Sequence, residues 1–372
     1  MGADETGTVL IAGASGLVGS AAALSFAAAG WEVLAACRRP PELLTHETRI
    51  AHLPLDLQDQ AQCAKTAADL GRVTHVVYTA VYELPGLIAG WSDPEQIATN
   101  GQMLRNLIDP LLAHGNLQHV TLLQGTKAYG AAVQPMRVPA REDQPRVEHP
   151  NFYWVQEDDL RARAAQHGFA MTILRPQLIV GPNHGVVMNL PPVIGAYAAL
   201  RHAEGLPFSF PGGPDWVWEA VDVRLVGDAC VWAATSGNAR GETYNLTNGE
   251  VFLWRDMWPA IAATLGVETG PDEPMSMAQY MNERAPLWDE VVARHHLQPI
   301  SLPALLGESH FYADLCFASG ATEAPAPTFV STVKIKQAGF TDTYNSEESF
   351  CFWLRDLQQR RVLPVLSPKE PS

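Results

Sequence analysis

The chain has 372 residues, of which 47% are hydrophobic, and a formal net charge of −15. It can therefore bury a substantial core, as one large domain or as a large domain with a smaller companion. Arg38-Arg39 and Arg360-Arg361 are its densest basic spots, which excludes nucleic acid and anionic membrane surfaces as partners.

The five cysteines (Cys37, Cys63, Cys230, Cys316, Cys351) are scattered, odd in number and never spaced C-x-x-C. They read as reduced, mostly buried thiols of a cytoplasmic protein, and no disulfide framework or metal site is expected. Gly7 to Trp31 carries no charge, which by length alone imitates a membrane span. Its glycines and alanines make it weakly apolar, and it divides into a strand and a helix. Asp4 and Glu5 stand where a signal peptide would be basic, so neither a targeting segment nor a membrane span is expected.

The first strand and its turn are T-V-L-I-A-G-A-S-G-L-V-G, Thr8 to Gly19. The apolar run Val9-Leu10-Ile11-Ala12 ends on Gly13; Gly16 and Gly19 follow at three-residue steps, and an Ala-rich helical pattern begins. This is the strand–turn–helix of a dinucleotide fold, in the G-x-x-G-x-x-G spacing of extended short-chain dehydrogenases. Gly13 permits the tight turn, Gly16 lets backbone approach a pyrophosphate, and Gly19 lets helix and strand pack closely. Unpaired N–H groups and the positive end of the helix dipole then face the anion. Gly13, Ser15, Gly16, Leu17 and Val18 are the expected phosphate-binding residues.

The helix runs from about Leu17 to Ala29 and stops at Gly30, a natural C-terminal glycine. The second strand, Glu32 to Ala36, leads into Cys37-Arg38-Arg39-Pro40. An NAD enzyme usually places an acid here for the ribose 2′-hydroxyl. Two guanidinium groups suit a 2′-phosphate instead, so Arg38 and Arg39 favour NADPH over the bland alternative of a solvated surface pair.

The third strand ends in Leu53-Pro54-Leu55-Asp56-Leu57. Asp56, with Leu57, is placed to meet the adenine, or Asp56 caps the following helix; both readings stand. The fourth strand, Thr74 to Thr79, should set Thr79-Ala80-Val81 against the cofactor ribose. In the helical pattern after it, Asn100 either braces the active site or satisfies local backbone. The fifth strand, His119 to Leu123, runs into Gln124-Gly125-Thr126-Lys127-Ala128-Tyr129-Gly130. Carboxyl ends of strands in doubly wound sheets are where ligands bind. That puts Gln124 at the cofactor and Lys127 where chemistry occurs, although a lysine in a Gly-flanked loop is more often merely solvated.

A proline-rich loop precedes Asn151-Phe152-Tyr153-Trp154-Val155-Gln156-Glu157-Asp158-Asp159-Leu160. Ordinary short-chain dehydrogenases have Tyr-x-x-x-Lys here, the lysine lowering the phenol pKa and holding the nicotinamide ribose. Four residues after Tyr153 stands Glu157. On the same helix face, a carboxylate would disfavour phenolate. Either Tyr153 is an aromatic anchor at a helix start, or the positive charge comes from elsewhere, Lys127 being the obvious source. The sixth strand, Met171 to Leu174, leads to Arg175-Pro176-Gln177-Leu178-Ile179, a segment expected to pass the nicotinamide, with Pro176 and Ile179 in contact.

Gly185 to Ala203 reads as an apolar helix, and Val223 to Ala234 as a helix packing back on the sheet. Tyr244-Asn245-Leu246 reads as a short strand, and Phe252–Leu265 and Met277–His295 as amphipathic helices. Phe329–Phe340 and Ser346–Arg361 complete the smaller domain. The fold class is α/β: a Rossmann-type doubly wound parallel sheet over residues 1–182, with a smaller, mostly helical substrate domain over 183–372. Segments near 220–248 should return to the sheet. Trp216, Trp218, Met188 and Phe340 are either pocket lining, which would suit an apolar ligand, or core.

Arg-Arg-Pro after the second strand, Gly-Thr-Lys-x-Tyr after the fifth, and Asn-Phe-Tyr-x-x-x-Glu-Asp together resemble the progesterone 5β-reductase/iridoid synthase-like enzymes. Met188-Asn189-Leu190, Glu204-Gly205-Leu206-Pro207 and the stretch from Asn245 to Trp254 extend the resemblance over most of the chain. Ala14-Ser15 and Tyr78-Thr79-Ala80 depart from the pattern. The resemblance implies an NADPH-dependent 1,4-reduction of a small, apolar α,β-unsaturated carbonyl compound. Tyr153 would hydrogen-bond the substrate carbonyl and stabilise the enolate, and Lys127 would keep positive charge near that oxygen. Tyr153 would also lie against the cofactor. The competing readings are a 1,2-carbonyl reductase or epimerase on the same scaffold, against which Glu157 counts, and a non-catalytic NADPH-sensing protein. A homodimer is left open.

Overall fold

The computed structural model of the protein describes residues 7–41, 44, 47–86, 89–114, 116–131 and 133–367. Two compact units are present. One holds the chain up to Gln177 together with Val223–Leu246 and Val330–Asp342; the other holds Leu178–Asp222, Thr247–Phe329 and the chain from Thr343 onward.

In the first unit β1 (Thr8–Ala12), α1 (Leu17–Ala28), β2 (Glu32–Cys37), β3 (Ile50–Pro54), α2 (Gln60–Ala67), β4 (Val73–Tyr78), α3 (Pro94–Ala113), β5 (His119–Leu123), α4 (Phe152–His167) and β6 (Ala170–Pro176) follow in order. A seventh strand, Thr243–Leu246, completes a fully parallel sheet, pairing with β6 at its edge. The order across the sheet is seventh strand, β6, β5, β4, β1, β2, β3. Its direction of growth reverses between β1 and β4, and crevices for ligands open at the carboxyl ends of such neighbours.

Helices cover both faces, so the inner strands are apolar throughout rather than alternating: every residue of β1 is buried, whereas edge strand β3 is largely accessible. Leu10, Val76, Val120 and Met171, aligned across four strands, share a core with Leu104, Ile108 and Leu160 from the helices. On the same sheet the helix Val223–Thr235 packs against α1 so closely that a Cβ on Gly227 would stand 2.8 Å from the Ala21 carbonyl oxygen.

Three boundaries differ from the sequence reading. The chain leaves the first unit at Gln177 rather than at residue 182, because β6 continues to Pro176. Val330–Asp342, assigned above to the smaller domain, belongs to the first unit; there Lys334 bonds the Thr243 carbonyl and pairs with Glu242. The apolar helix starts at Leu190, not Gly185: Gly185 has φ +68°, and Pro191 and Pro192 open the helix, where missing N–H groups cost least.

The second unit is mainly helical. Phe208 stacks on Trp258 at 4.4 Å, with Tyr197 and Phe317 around them. Val217–Trp218 pairs antiparallel with Phe252–Leu253, which shortens the helix expected from Phe252 so that it starts at Trp254. The amphipathic stretch Met277–His295 divides into Met277–Asn282 and Ala285–His295. Trp216 and Trp218 are buried together, 4.4 Å apart, and Phe340 is buried in the first unit against Trp232. Among the described residues no helix is long and apolar enough to cross a membrane.

The sheet also buries two histidines in register, His75 and His119. The Thr172 hydroxyl gives its hydrogen to the Ala239 carbonyl, so His119 Nε2 must donate to Thr172 Oγ1 (2.9 Å), and Nδ1 is left without a partner. A proton on Nδ1 would be a buried, unpaired cation. Burial holds His75 down to about 4 and His119 to about 3, with Arg240 and the neighbouring ring adding repulsion. Folded-state values below the ordinary 6.5 mean that the unfolded chain binds these protons first. Their contribution is therefore complete above pH 6.5 and is lost as pH falls towards 4. The C2–H resonances of both rings should stay unshifted between pH 7.5 and 5. The urea midpoint should fall over the same interval more steeply than in H119Q, by on the order of 1–3 kcal/mol of stability at pH 5.

Candidate active site

Every sequence-predicted site residue except Ile179 lies in the first unit. Gly13 ends β1 with φ +86°, and a Cβ there would meet Ala80 N at 2.8 Å and Thr79 Oγ1 at 2.9 Å. The turn is thus fitted against the end of β4, where Thr79 Oγ1 donates to the Ala12 carbonyl. A Cβ on Gly19 would stand 2.2 Å from the Gly13 oxygen, so only glycine lets α1 begin this close to the turn. Gly16 is the N-cap of α1; it supplies no side-chain cap, and the first turn carries no acid. The amide end of α1 therefore keeps its positive potential, as a pyrophosphate requires. Ser15 is exposed and hydrogen-bonds Cys37 at the end of β2, and Leu17 and Val18 are half-buried.

Arg38 and Arg39 are exposed just beyond β2, free to meet a 2′-phosphate. The two readings of Asp56 separate: the cap of α2 is Asp59, which accepts the Gln62 N–H, while Asp56 Oδ1 accepts the Gln58 N–H. Leu57 points its side chain into the core, and its carbonyl accepts from Asn106 Nδ2 inside the protein. Thr79 and Ala80 are half-buried and Val81 is exposed. Asn100 holds the loop after β4, donating to the Tyr82 carbonyl and accepting its N–H.

Gln124 is buried, and its amide is spent inside the protein. Its Oε1 accepts from Arg175 Nε (2.9 Å) and its Nε2 donates to Glu157 (3.0 Å); its backbone N–H donates to the Leu174 carbonyl (2.9 Å), which leaves only its backbone carbonyl for a cofactor. Pro176 is buried, its carbonyl 3.6 Å from where a Cβ on Gly125 would be. Ile179 is half-buried in a two-residue strand of the second unit.

Lys127 sits in the short turn Thr126–Tyr129, between extended Gly125 and left-handed Gly130. Its Nζ is sealed from solvent, has no hydrogen-bond acceptor among the described residues, and lies 3.2 Å from the centroid of the Trp91 ring. Loss of hydration lowers its pKa to about 7, the charge of Glu83 opposing that shift. Tyr153, in the first turn of α4, packs its ring edge-on to the same indole with centroids 5.3 Å apart, and Phe152 closes the cluster 4.7 Å from Trp91. The Tyr153 hydroxyl points past Gly125: it is 3.4 Å from a Cβ built there. Burial raises its pKa, Glu83 raises it further and Arg175 opposes. The phenol is therefore kept as a neutral donor.

Glu157 plays a different part from the one expected. It is buried among Arg161 (2.9 Å), Arg146 (3.2 Å) and Arg175 (3.6 Å), with Gln124 donating as well. Burial by itself raises its pKa; these donors outweigh burial and hold it below the ordinary value. The acid that acts on the Tyr153 phenol is Glu83, not Glu157. Trp91, Glu83 and Asn151 were missed by the sequence reading. Asn151 was findable as an N-cap residue opening an apolar–aromatic helix start; nothing local marks Trp91 or Glu83.

Residues 9–247 match the NAD dependent epimerase/dehydratase family. The chain is 29% identical to an (S)-8-oxocitronellyl enol synthase of Camptotheca acuminata, over 95% of this chain and 93% of that one. It is 28% identical to the (S)-8-oxocitronellyl enol synthase of Catharanthus roseus, over 95% and 92%. Among solved structures it is similar to UDP-glucose 4-epimerase of Thermotoga maritima with UDP-glucose (TM-score 0.67, 15% identity, 95% of this chain and 99% of that one). It is also similar to Bordetella bronchiseptica WbmG in complex with NAD (TM-score 0.64, 17%, 98% of each). These likenesses agree with the parallel sheet and the glycine turn described above.

The contact between Gly19 and Gly13 gives a direct test of the turn. G19A should fold, with Tm lowered by a few degrees, and should bind NADPH at least ~10-fold more weakly by titration calorimetry. Unchanged affinity would remove the turn from the site.

Proposed function

Because the chain belongs to the NAD dependent epimerase/dehydratase family, and its motifs resemble the progesterone 5β-reductase/iridoid synthase-like branch, we propose that it is an NADPH-dependent reductase of the C=C bond of small α,β-unsaturated carbonyl compounds. The observation that carries this reading is the placing of the Lys127 ammonium and the Tyr153 ring on one indole, where burial desolvates both. That is an arrangement for stabilising negative charge on a single oxygen atom.

The cofactor fits the residues present. The amide end of α1 is uncapped and free of acids, Gly13 and Gly19 bring the turn close, and Arg38 and Arg39 stand exposed where a 2′-phosphate would lie. When bound, it supplies hydride to the β-carbon of the substrate. The protein supplies the rest. Tyr153, neutral because it is buried, donates a hydrogen bond to the substrate carbonyl and keeps donating as that oxygen becomes an enolate. Lys127, whose pKa burial lowers to about 7, holds its charged form more firmly as the oxygen turns negative, since an adjacent anion favours the ammonium. Trp91 and Phe152 exclude water, which strengthens both interactions. The enolate's α-carbon then takes its proton from water, which restores the carbonyl and leaves Tyr153 and Lys127 as they began.

Glu157 favours this reading over a 1,2-carbonyl reduction of the Tyr-x-x-x-Lys type: its side chain is committed to three arginines, and no lysine follows Tyr153 at that spacing. The names of the relatives, enol synthases, agree with a product released from an enolate.

With NADPH and 2-cyclohexenone the expected product is the saturated ketone. An allylic alcohol would establish 1,2-reduction, and no oxidation of NADPH across a panel of enones and enals would sink the enzyme reading. In Y153F, kcat should fall by ~10²–10³ while the NADPH Kd stays within about twofold. Exchanging both Arg38 and Arg39 for alanine should raise the KM for NADPH by ~10–100-fold and leave that for NADH nearly unchanged. Equal loss with both cofactors would show that the arginines do not read the 2′-phosphate.

A further inference from the structure

We infer that Asn151 is the positioning residue that fixes Lys127 and Tyr153 relative to each other; this rests on the reading of those two as the reacting pair. The carboxamide of Asn151 is buried, and all of its polar atoms are engaged. Oδ1 accepts the backbone N–H of Tyr153 (3.0 Å), Nδ2 donates to the backbone carbonyl of Lys127 (3.3 Å), and Nδ2 also meets His149 Nε2 (3.2 Å).

The direction of these bonds follows from His149. Its Nδ1 lies 2.9 Å from the Val147 carbonyl, which can only accept, so Nδ1 carries the hydrogen and Nε2 is the acceptor. Nε2 therefore takes one N–H of Asn151, and the second N–H is turned to Lys127. One planar amide thus joins the turn after β5 to the first residues of α4. The Lys127 carbonyl also accepts the Gly130 N–H at 3.1 Å, so the turn is closed locally by backbone and tied to the helix by this side chain.

Two jobs are combined in one residue, and they can be separated. Capping α4 needs only an acceptor for the Tyr153 N–H, and serine or threonine provides it. Holding Lys127 also needs a donor on the far side of the amide from that acceptor, and a serine or threonine hydroxyl, whose one oxygen sits at the Tyr153 N–H, is too short to span to the Lys127 carbonyl as well. N151S and N151T therefore keep the helix start and release the turn. A shift of about 1 Å between catalytic groups can cost ~10²-fold in rate.

The test uses the full-length protein labelled at lysine with 13C and 15N. The chain has five lysines, so the Lys127 signal can be assigned with K127M and titrated. In the wild type it should titrate near pH 7. In N151S and N151T it should move upward by at least half a unit, because a released turn lets the ammonium leave the indole and regain water. With 2-cyclohexenone, kcat should fall ~10–100-fold, with the NADPH Kd within twofold and Tm within a few degrees.

The inference is overturned if Lys127 titrates as in the wild type in both variants, or if it moves while kcat stays within twofold. A parallel collapse of Tm and NADPH binding would also overturn it, reducing Asn151 to a fold support. If the wild type reduces no enone, the functional reading fails, and the lysine titration still decides whether the amide holds the turn.

Discussion

An ammonium group held on an indole face, with no hydrogen-bond acceptor among the described residues, is the constraint around which the first unit is arranged at the carboxyl edge of its sheet. A lysine normally escapes burial by reaching for water along its flexible stem. Lys127 does not: its Nζ is sealed from solvent above Trp91. A cation on an aromatic face recovers only part of the lost hydration, so the group sits close to neutrality at physiological pH. Such a position persists only if the backbone around it is over-determined. Here a left-handed glycine at Gly130, fitted against Val147, and the carboxamide of Asn151 supply that determination.

The same edge solves a second electrostatic problem. Helix α4 buries the carboxylate of Glu157, and a buried charge survives only if paired. Arg146, Arg161 and Arg175 reach it from three segments of chain, and Gln124 spends its amide joining Glu157 to Arg175. Arg175 also lies over the ring of Tyr129, whose hydroxyl donates to Asn245. The carboxylate is therefore an anchor that locks α4 to the ends of β5 and β6, and its charge is largely absorbed before it reaches the phenol one turn away. What Tyr153 senses is Glu83 and Arg175.

The fold and the phosphate turn were legible because they are written locally. Buried parallel strands leave uninterrupted apolar runs, and the turn at Gly13 leaves glycines at positions where a Cβ would strike backbone. The lysine missing from the helix directed attention to Lys127, which the structure sets on the same indole as Tyr153. Glu157 was misjudged for the opposite reason. Its neighbours on the helix are visible in the sequence, but two of its three arginines arrive from a loop and from another strand. Gln124 and Leu57 were placed at the cofactor by position alone, and their side chains turn inward to Arg175 and to the core. Val330–Asp342 returns to the first unit over a separation in chain that no periodicity records. Trp91 was invisible because an aromatic in a loop carries no signal of which residue it will cover.

These two arrangements constrain each other. In a Tyr-x-x-x-Lys site the cation one turn after the tyrosine acts directly on the phenol. Placed on this scaffold, a lysine at residue 157 would enter a cluster of Arg146, Arg161 and Arg175 that the present carboxylate joins, with Asp158 pairing Arg146 from outside it. Like charges at such separations repel strongly when desolvated, so α4 would be pushed from the strand ends that position it. The cation that the phenol senses therefore comes from outside the helix, from Arg175 at the end of β6, and Lys127, in the turn after β5, meets the Trp91 ring that Tyr153 also packs against. Its approach from another element requires a device that fixes strand end and helix start to each other, and the Asn151 carboxamide, bonded to the backbone of both Lys127 and Tyr153, spans that gap.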